Sequence, residues 1–294
     1  MNAAQTVSNV DRPPPLPAAA PARSPNQALW EMGDFTRIAS SMRASGEALV
    51  RRLDLGPGMK VLDLGCGDGT TALPAAQAGA QVLGVDIARN LVAAGQRRAR
   101  EAGLESRCRF VEGDACDLSG VENASFDRVV SIFGAMFAPK PFDVAREMVR
   151  VTKPGGRIHM GNWIPGDPTL VAQLLKISTA YAPPPPAGFV SPMTWGLADH
   201  VRERFGQAGI PAEAVRCEPV TWVFDLAESP AAFVDLFRRY YGPTMKAFEA
   251  ADGQGRAETL REELVALFEA QNESQYPGTL VIPATFLLVT VDVH

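Results

Sequence analysis

The chain has 294 residues, 46% of them hydrophobic and 21% charged, which is enough apolar material for one large domain or a core domain with a smaller addition. A formal net charge of −5 at pH 7 argues against non-specific nucleic-acid binding, which needs a basic surface. No apolar run approaches the roughly 20 residues of a membrane span, and prolines break up the alanines where a secretion leader would stand, so the expected location is the cytoplasm, with no membrane and no nucleic acid as partner.

Residues 1–25 are rich in Pro and Ala and nearly free of bulky apolar groups, a composition that cannot offset its ordering entropy and predicts an unstructured tail. Over residues 26–53, Trp30, Phe35, Ile38, Leu49 and Leu53 recur at helical intervals, which predicts one or two amphipathic helices. A regular alternation follows. Strands are expected at Lys60–Leu64, Gln81–Val85, Arg109–Glu112, Phe126–Ile132 and Arg157–Trp163. Helices are expected at Thr70–Ala78, Ala88–Ala102 and Pro139–Val151, with Pro141 in a first turn, and a Lys153–Gly156 turn precedes the last of the strands. Strands alternating with helices of ten or more residues predict a doubly wound α/β domain, a mostly parallel sheet with helices on both faces.

The last third differs. Four consecutive prolines, Pro183 to Pro186, force an extended connection. A helix is expected at Leu197–Ala208 and a strand at Thr221–Leu226. Helical patterns follow around Phe233–Tyr240 and Leu260–Phe268, then a strand-rich run over Thr279–Val293. Helices between two late strands read as an insertion lying over one end of the sheet. The expected organisation is a tail (1–25), a cofactor-binding core with N-terminal cover helices (26–165), and a substrate-side region carrying the insertion and the last strands (166–294).

Chemistry should concentrate at the carboxyl ends of the strands, where such sheets bind ligands. The first of these loops is Gly65-Cys66-Gly67-Asp68-Gly69. Glycine permits a sharp turn and close ligand approach, and the following helix offers free N–H groups to an anion. Threonine at position 70 breaks the dinucleotide fingerprint, which leaves a nicotinamide oxidoreductase as an outside alternative, and no Gly-Lys-Ser/Thr follows to make a nucleotide-triphosphate loop. Asp86 ends the second strand, where a carboxylate can grip two ribose hydroxyls or simply cap the next helix. Asp114 stands at the same sheet edge after the third strand, where a loop aspartate is otherwise an ordinary turn residue. The four cysteines, Cys66, Cys108, Cys116 and Cys217, form no CxxC pair and three histidines complete no zinc pattern, so no metal is expected and the thiols read as free.

The ordered segments VLDLGCGDG, VLGVD, EGDA, FDRVVSIFGAMF and VTKPGG resemble the class I, Rossmann-like S-adenosylmethionine-dependent methyltransferases, especially the branch of ubiquinone and menaquinone biosynthesis. The resemblance covers roughly Trp30 to Trp163. It implies a seven-stranded sheet, S-adenosyl-L-methionine as cofactor and S-adenosyl-L-homocysteine as product. It also implies that Gly65, Cys66 and Gly67 lie against the methionine half, that Asp63 holds its amino group, and that Asp86 takes the ribose hydroxyls. Ile87 would pack on the adenine, Asp114 accept from its N6 beside Ala115, Ser131 supply a backbone carbonyl, and Trp30 and Phe35 cover the ligand.

Beyond the cofactor, Phe133, Met136, Phe137, Trp163 and Trp195 are the expected rim of an apolar acceptor pocket. No base stands out: His200, Tyr240 and Tyr241 are the candidates, and each reads equally as a surface or packing residue. The expected function is methyl transfer to an O, N or C nucleophile of a small hydrophobic or aromatic metabolite. The alternatives are a protein or RNA methyltransferase and a non-catalytic cofactor-binding protein, and the aromatic inserted helices leave a homodimer open.

Overall fold

The computed structural model describes residues 23–294; of the tail expected over residues 1–25, residues 1–22 lie outside the described residues, and Pro25 already opens the first helix. In chain order the elements are α1 (Pro25–Trp30), α2 (Thr36–Ala39), α3 (Arg43–Arg52), β1 (Lys60–Leu64), α4 (Ala72–Gln77), β2 (Gln81–Asp86), α5 (Arg89–Glu101), β3 (Cys108–Glu112) and β4 (Phe126–Ile132). Then come α6 (Pro141–Val151), β5 (Thr152–Trp163), α7 (Leu170–Thr179), α8 (Ala198–Gln207), β6 (Val215–Leu226), α9 (Pro230–Tyr240), α10 (Gly242–Asp252), α11 (Ala257–Gln271) and β7 (Leu280–Asp292).

The seven strands form one sheet in the order β3-β2-β1-β4-β5-β7-β6. Pairing is parallel from β3 through β5, and β7 runs antiparallel to both β5 and β6. Strand order reverses between β1 and β4, so the crevice at their carboxyl ends is the natural ligand site. The near-continuous apolar burial of β1 and β4 follows from helices covering both faces.

Local chemistry explains most boundaries. Pro141 is the first residue of α6, where its missing N–H costs nothing. Ser24 and Ser229 cap α1 and α9, accepting the N–H groups of Gln27 and Ala232 at 3.1 and 3.2 Å. Pro219 sits in β6, an edge strand, and Pro283 lies on β7 beyond the end of its pairing with β5, so neither interrupts an interior ladder.

Three expectations change. The N-terminal segment forms α1, α2, a single 3₁₀ turn and α3, because the Asp34 carboxylate takes the Thr36 hydroxyl at 2.6 Å and N–H at 3.2 Å and restarts the helix there. The Lys153–Gly156 turn is instead an excursion within β5, whose pairing with β4 jumps from Phe126–Thr152 to Arg128–Arg157. Helix α10 was not foreseen: its buried face is Thr244, Ala247, Phe248 and Ala251, small residues that leave little apolar periodicity.

His159 lies inside β5, 5% exposed, with Nδ1 3.2 Å from the Thr290 hydroxyl. Burial, reinforced by the nearby Arg128 and Arg157, pushes its pKa down to about 4. A base held neutral in the fold but free to protonate when unfolded stabilises above pH ~6.5 and loses that contribution as pH falls toward 4, by about 3 kcal/mol. Urea unfolding at pH 7 and pH 4.5 should therefore show a smaller acid loss in His159→Gln than in the parent chain. Equal losses in the two proteins would remove His159 from the account.

Candidate functional site

A cavity opens over the carboxyl ends of β1, β2 and β4, enclosing about 1280 Å³ with its mouth included. One half is polar and built from the strand ends. The other is aromatic and built from α1, α9, the strand ends beyond β4, and α7.

The polar half starts with the turn after β1. Gly65 and Gly67 have φ of +70° and +56°, the left-handed region that other residues enter at a cost. Gly65 also meets Gly134 backbone to backbone, where a Cβ would stand 2.6 Å from the Gly134 Cα. Asp86 braces this turn from β2, its Oδ2 accepting the Gly67 N–H at 2.8 Å and its Oδ1 the Ala88 N–H at 2.9 Å. Asp86 is not the cap of α5, which is Ala88 with no side-chain cap bond; its carboxylate closes a turn onto the Ala88 N–H just ahead of the helix, and lone pairs remain on both oxygens. Asp68, which sequence reasoning passed over, is almost fully buried. Arg43 pairs with both of its oxygens, and Arg98 approaches at 3.5 Å while donating to its backbone carbonyl at 2.6 Å.

Asp63 faces the same half with its Oδ2 lacking any hydrogen-bond partner. Burial, and then the charge of Asp86, push its pKa up to about 7. An unpaired buried carboxylate is expensive, and an ammonium group beside it would complete it. Burial likewise raises the Asp86 carboxyl and the Cys66 thiol, which is no ready nucleophile. Ile87, Asp114 and Ala115 line the cavity further along, with Asp114 Oδ1 held by the Cys116 N–H at 2.8 Å. Ser131 is buried beneath it, donating to the Leu64 carbonyl at 2.5 Å and accepting the Ala135 N–H at 2.9 Å, so that it ties β4 to β1. These residues fit a ligand with a nucleoside, two free ribose hydroxyls and an ammonium group. Among the described residues no group of three or more His, Cys, Asp or Glu could hold a metal ion.

The aromatic half brings together Trp30 and Phe35, expected over the cofactor, Phe133, Phe137 and Trp163, expected at the acceptor rim, and Tyr241, a candidate base. Phe133, the residue after β4, has φ +59°, an unusual conformation for a bulky residue and a mark of a constrained site. Its ring lies flat on Trp163, centroids 3.8 Å apart and 10° between planes. Trp222 and Phe224 on β6, Phe237 on α9 and Leu170, Val171 and Leu174 on α7 complete the wall. None of these was singled out from the sequence, although Trp222 and Phe224 are two apart on a strand and so share a face.

Besides Ser131, which lies beneath the wall, four candidates do not line the cavity. Met136 is in the 3₁₀ turn after β4, buried on the side away from the cavity while Phe137 faces it. Trp195 is buried against Phe205 with the Arg204 guanidinium 4.4 Å over its ring, and does not reach the cavity. His200 lies on the surface of α8 beside Glu203, 3.8 Å away. Tyr240 turns outward to stack under Arg37, whereas its neighbour Tyr241 turns in.

Polar bonds hold the N-terminal cover in place. Gln27 donates to Glu112 at 3.0 Å, Glu31 accepts the Arg89 N–H at 3.2 Å, and Asn90 donates to the Gly33 carbonyl at 3.1 Å. On its other side Gly242 abuts the Leu29 carbonyl oxygen so closely that any side chain would overlap it. Helix α1 is therefore clasped between the sheet edge and the α9–α10 junction. Among the described residues no helix is long and apolar enough to cross a membrane.

The Methyltransf_25 family, described as a methyltransferase domain, matches residues 61–156. The chain is 34% identical over 250 residues to the uncharacterized protein Rv1403c of Mycobacterium tuberculosis, covering 84% of this chain and 88% of that one. It is 38% identical over 110 residues to a demethylmenaquinone methyltransferase of Paenarthrobacter aurescens, 37% of this chain and 41% of that one. The crystal structure of the YcgJ protein from Bacillus subtilis matches with a TM-score of 0.55 at 19% identity, over 85% of this chain and 99% of that one, a likeness of fold.

Proposed function

The chain belongs to the class I S-adenosylmethionine-dependent methyltransferases, and from that premise we propose that its acceptor is a small, largely hydrophobic or aromatic metabolite. The observation that carries this is the division of one cavity into a carboxylate-and-glycine half and an aromatic half. The relative named demethylmenaquinone methyltransferase supports an apolar ring as acceptor. The clasped α1 cover supports a small acceptor over a protein or RNA, since a macromolecule would have to displace it. Four free cysteines suit a reducing, cytoplasmic setting.

When bound, S-adenosylmethionine supplies a methyl group on an electrophilic sulfonium. The chain's own task is alignment, which can be worth on the order of 7–11 kcal/mol when the nucleophile sits roughly 3 Å from the methyl carbon. Asp86 holds the ribose hydroxyls on its remaining lone pairs, and Asp63 receives the amino group. Gly65, Cys66 and Gly67 flank the methionine half, and Ser131 keeps the strand ends in register beneath it. Ile87 packs on the adenine, Asp114 and Ala115 edge it, and Trp30 and Phe35 exclude water. Phe133, Phe137, Trp163 and Tyr241 hold the acceptor.

The Asp63 assignment has a proton signature. Below pH 7 the free carboxyl is largely protonated, and an ammonium group arriving beside it favours the anion, so a proton leaves. Titration calorimetry with S-adenosylhomocysteine at pH 6, in two buffers of different ionisation heat, should show release of up to about one proton, and Asp63→Asn should abolish it. An identical proton count in both proteins would refute the assignment. The acceptor class itself is tested by incubating the enzyme with labelled cofactor and cell extract: label should enter small organic-soluble molecules, and label found only in protein or RNA would overturn the reading.

A further inference from the structure

The aromatic half of the cavity is unusual in what it lacks. Its lining carries no histidine, lysine, arginine, carboxylate or thiol; every acid and the one cysteine on the cavity wall belong to the polar half. Among the described residues the only ionisable side chain there is Tyr241. Its hydroxyl makes no hydrogen bond with any described residue, yet it is not among the sealed, unpartnered polar atoms, a group that includes the nearby Trp222 indole nitrogen. The hydroxyl is therefore not sealed off, and its residue stands on the cavity wall.

The fold aims this side chain with care. Tyr241 occupies the single extended residue between α9 and α10, at φ −103° and ψ 107°, while its N–H still bonds the Phe237 carbonyl at 3.1 Å. The seat of Gly242 on the Leu29 carbonyl leaves the junction no play. Trp30, Phe35 and Phe237 surround the ring at centroid distances of 5.9, 6.0 and 5.3 Å. That packing supplies all the contacts a merely structural phenylalanine would need, so the hydroxyl is left over.

We propose that Tyr241 is the specificity-determining residue of the acceptor half: its hydroxyl donates to an oxygen on a flat apolar ring, and the enzyme takes phenols or enols that shed their own proton, offering them no base. This deepens, and rests on, the aromatic-acceptor reading above. Burial raises the Tyr241 phenol far above its ordinary value, so it stays protonated and acts as a donor. The acceptor's proton passes to water before the ring is enclosed. The oxygen's electron pair then forms the bond to the methyl carbon while the carbon–sulfur pair returns to sulfur, giving the methyl ether and S-adenosylhomocysteine. The sulfonium's positive charge and the Tyr241 O–H together offset the desolvation of the oxyanion. A neutral aryl amine offers the Tyr241 O–H a poorer acceptor than a phenol oxygen, because its single lone pair is drawn into the ring and it has no oxyanion form.

The test is equilibrium dialysis of the full chain saturated with S-adenosylhomocysteine, against 1-naphthol, 1-naphthylamine and naphthalene. The parent protein should prefer 1-naphthol to naphthalene by about tenfold, the worth of one enclosed hydrogen bond, and should rank the amine below the alcohol. Tyr241→Phe should erase the preference while keeping naphthalene and S-adenosylhomocysteine affinities within about twofold. Equal binding of alcohol and hydrocarbon by the parent protein, which needs no variant to observe, would overturn the role of Tyr241 and leave the aromatic reading standing. So would an alcohol preference surviving in Tyr241→Phe, or a preference for the amine. If no naphthyl compound binds, the aromatic-acceptor reading falls and this proposal with it.

Discussion

Asp86→Asn should weaken binding of S-adenosylhomocysteine by roughly 100-fold, close to 2.7 kcal/mol. The carboxylate of Asp86 already accepts the N–H groups of Gly67 and Ala88, one on each oxygen. An asparagine amide has one oxygen only, so its NH₂ must confront one of those two donors whichever way it turns. The turn after β1 or the start of α5 then loses its brace, and the ribose hydroxyls lose an anionic acceptor. Charge-assisted hydrogen bonds of this kind are worth about 1.5–3 kcal/mol each. Calorimetric titration gives the affinity directly, and a near-parental melting temperature would show that the fold survives. An affinity within about threefold of the parent would mean that Asp86 serves α5 alone.

The second large effect separates two glycines that the sequence presents as equivalents. Both Gly65 and Gly67 have positive φ, which costs alanine about 1–2 kcal/mol. At Gly65 the added Cβ also meets the Gly134 Cα, the Gly134 carbonyl carbon and the Ala135 nitrogen at 2.6, 2.8 and 2.9 Å. All three are backbone atoms of the β4 turn, so relief requires moving that turn off β1. Gly65→Ala should therefore cost at least ~4 kcal/mol in all, a fall in melting temperature on the order of 8–16 °C. At Gly67 a Cβ meets nothing within 4 Å. Gly67→Ala should melt only a few degrees lower, about 1 kcal/mol, yet lose cofactor affinity because the new methyl projects where the ligand approaches. Thermal unfolding with parallel titration distinguishes the two; equal melting temperatures would contradict the close approach of the two turns.

The polar half of the cavity was readable because its chemistry is local in sequence. Each strand ends at a turn, and Asp63, Asp86 and Asp114 fall at those ends, so periodicity alone carries them to one edge of the sheet. The brace on Asp68 was not readable. Its partners Arg43 and Arg98 are 25 and 30 residues away on two different helices, and nothing in their spacing announces the meeting. The acceptor half shows the other limit. Sequence proximity to β4 suggested both Met136 and Phe137, but one 3₁₀ turn sends them to opposite sides. Tyr240 and Tyr241 were inseparable for the same reason: a one-residue break between α9 and α10 decides which faces inward. Trp195 looked like pocket because it is large and aromatic, and buried packing against Phe205 and Arg204 uses it instead.

The position of β7 between β5 and β6 has a consequence for biosynthesis. Among the described residues β6 bonds to no strand except β7, which is made more than fifty residues later. As the chain leaves the ribosome, β1 to β5 can pair in parallel and assemble the polar half of the cavity at once. β6, with Trp222 and Phe224, must wait without a partner, its ladder groups exposed, while α9 to α11 are translated. Only when β7 slots in can the aromatic wall close. The nascent chain thus passes through a stage in which the polar half of the cavity stands without its aromatic wall, and a chaperone that shields an unpaired strand would find its target at β6.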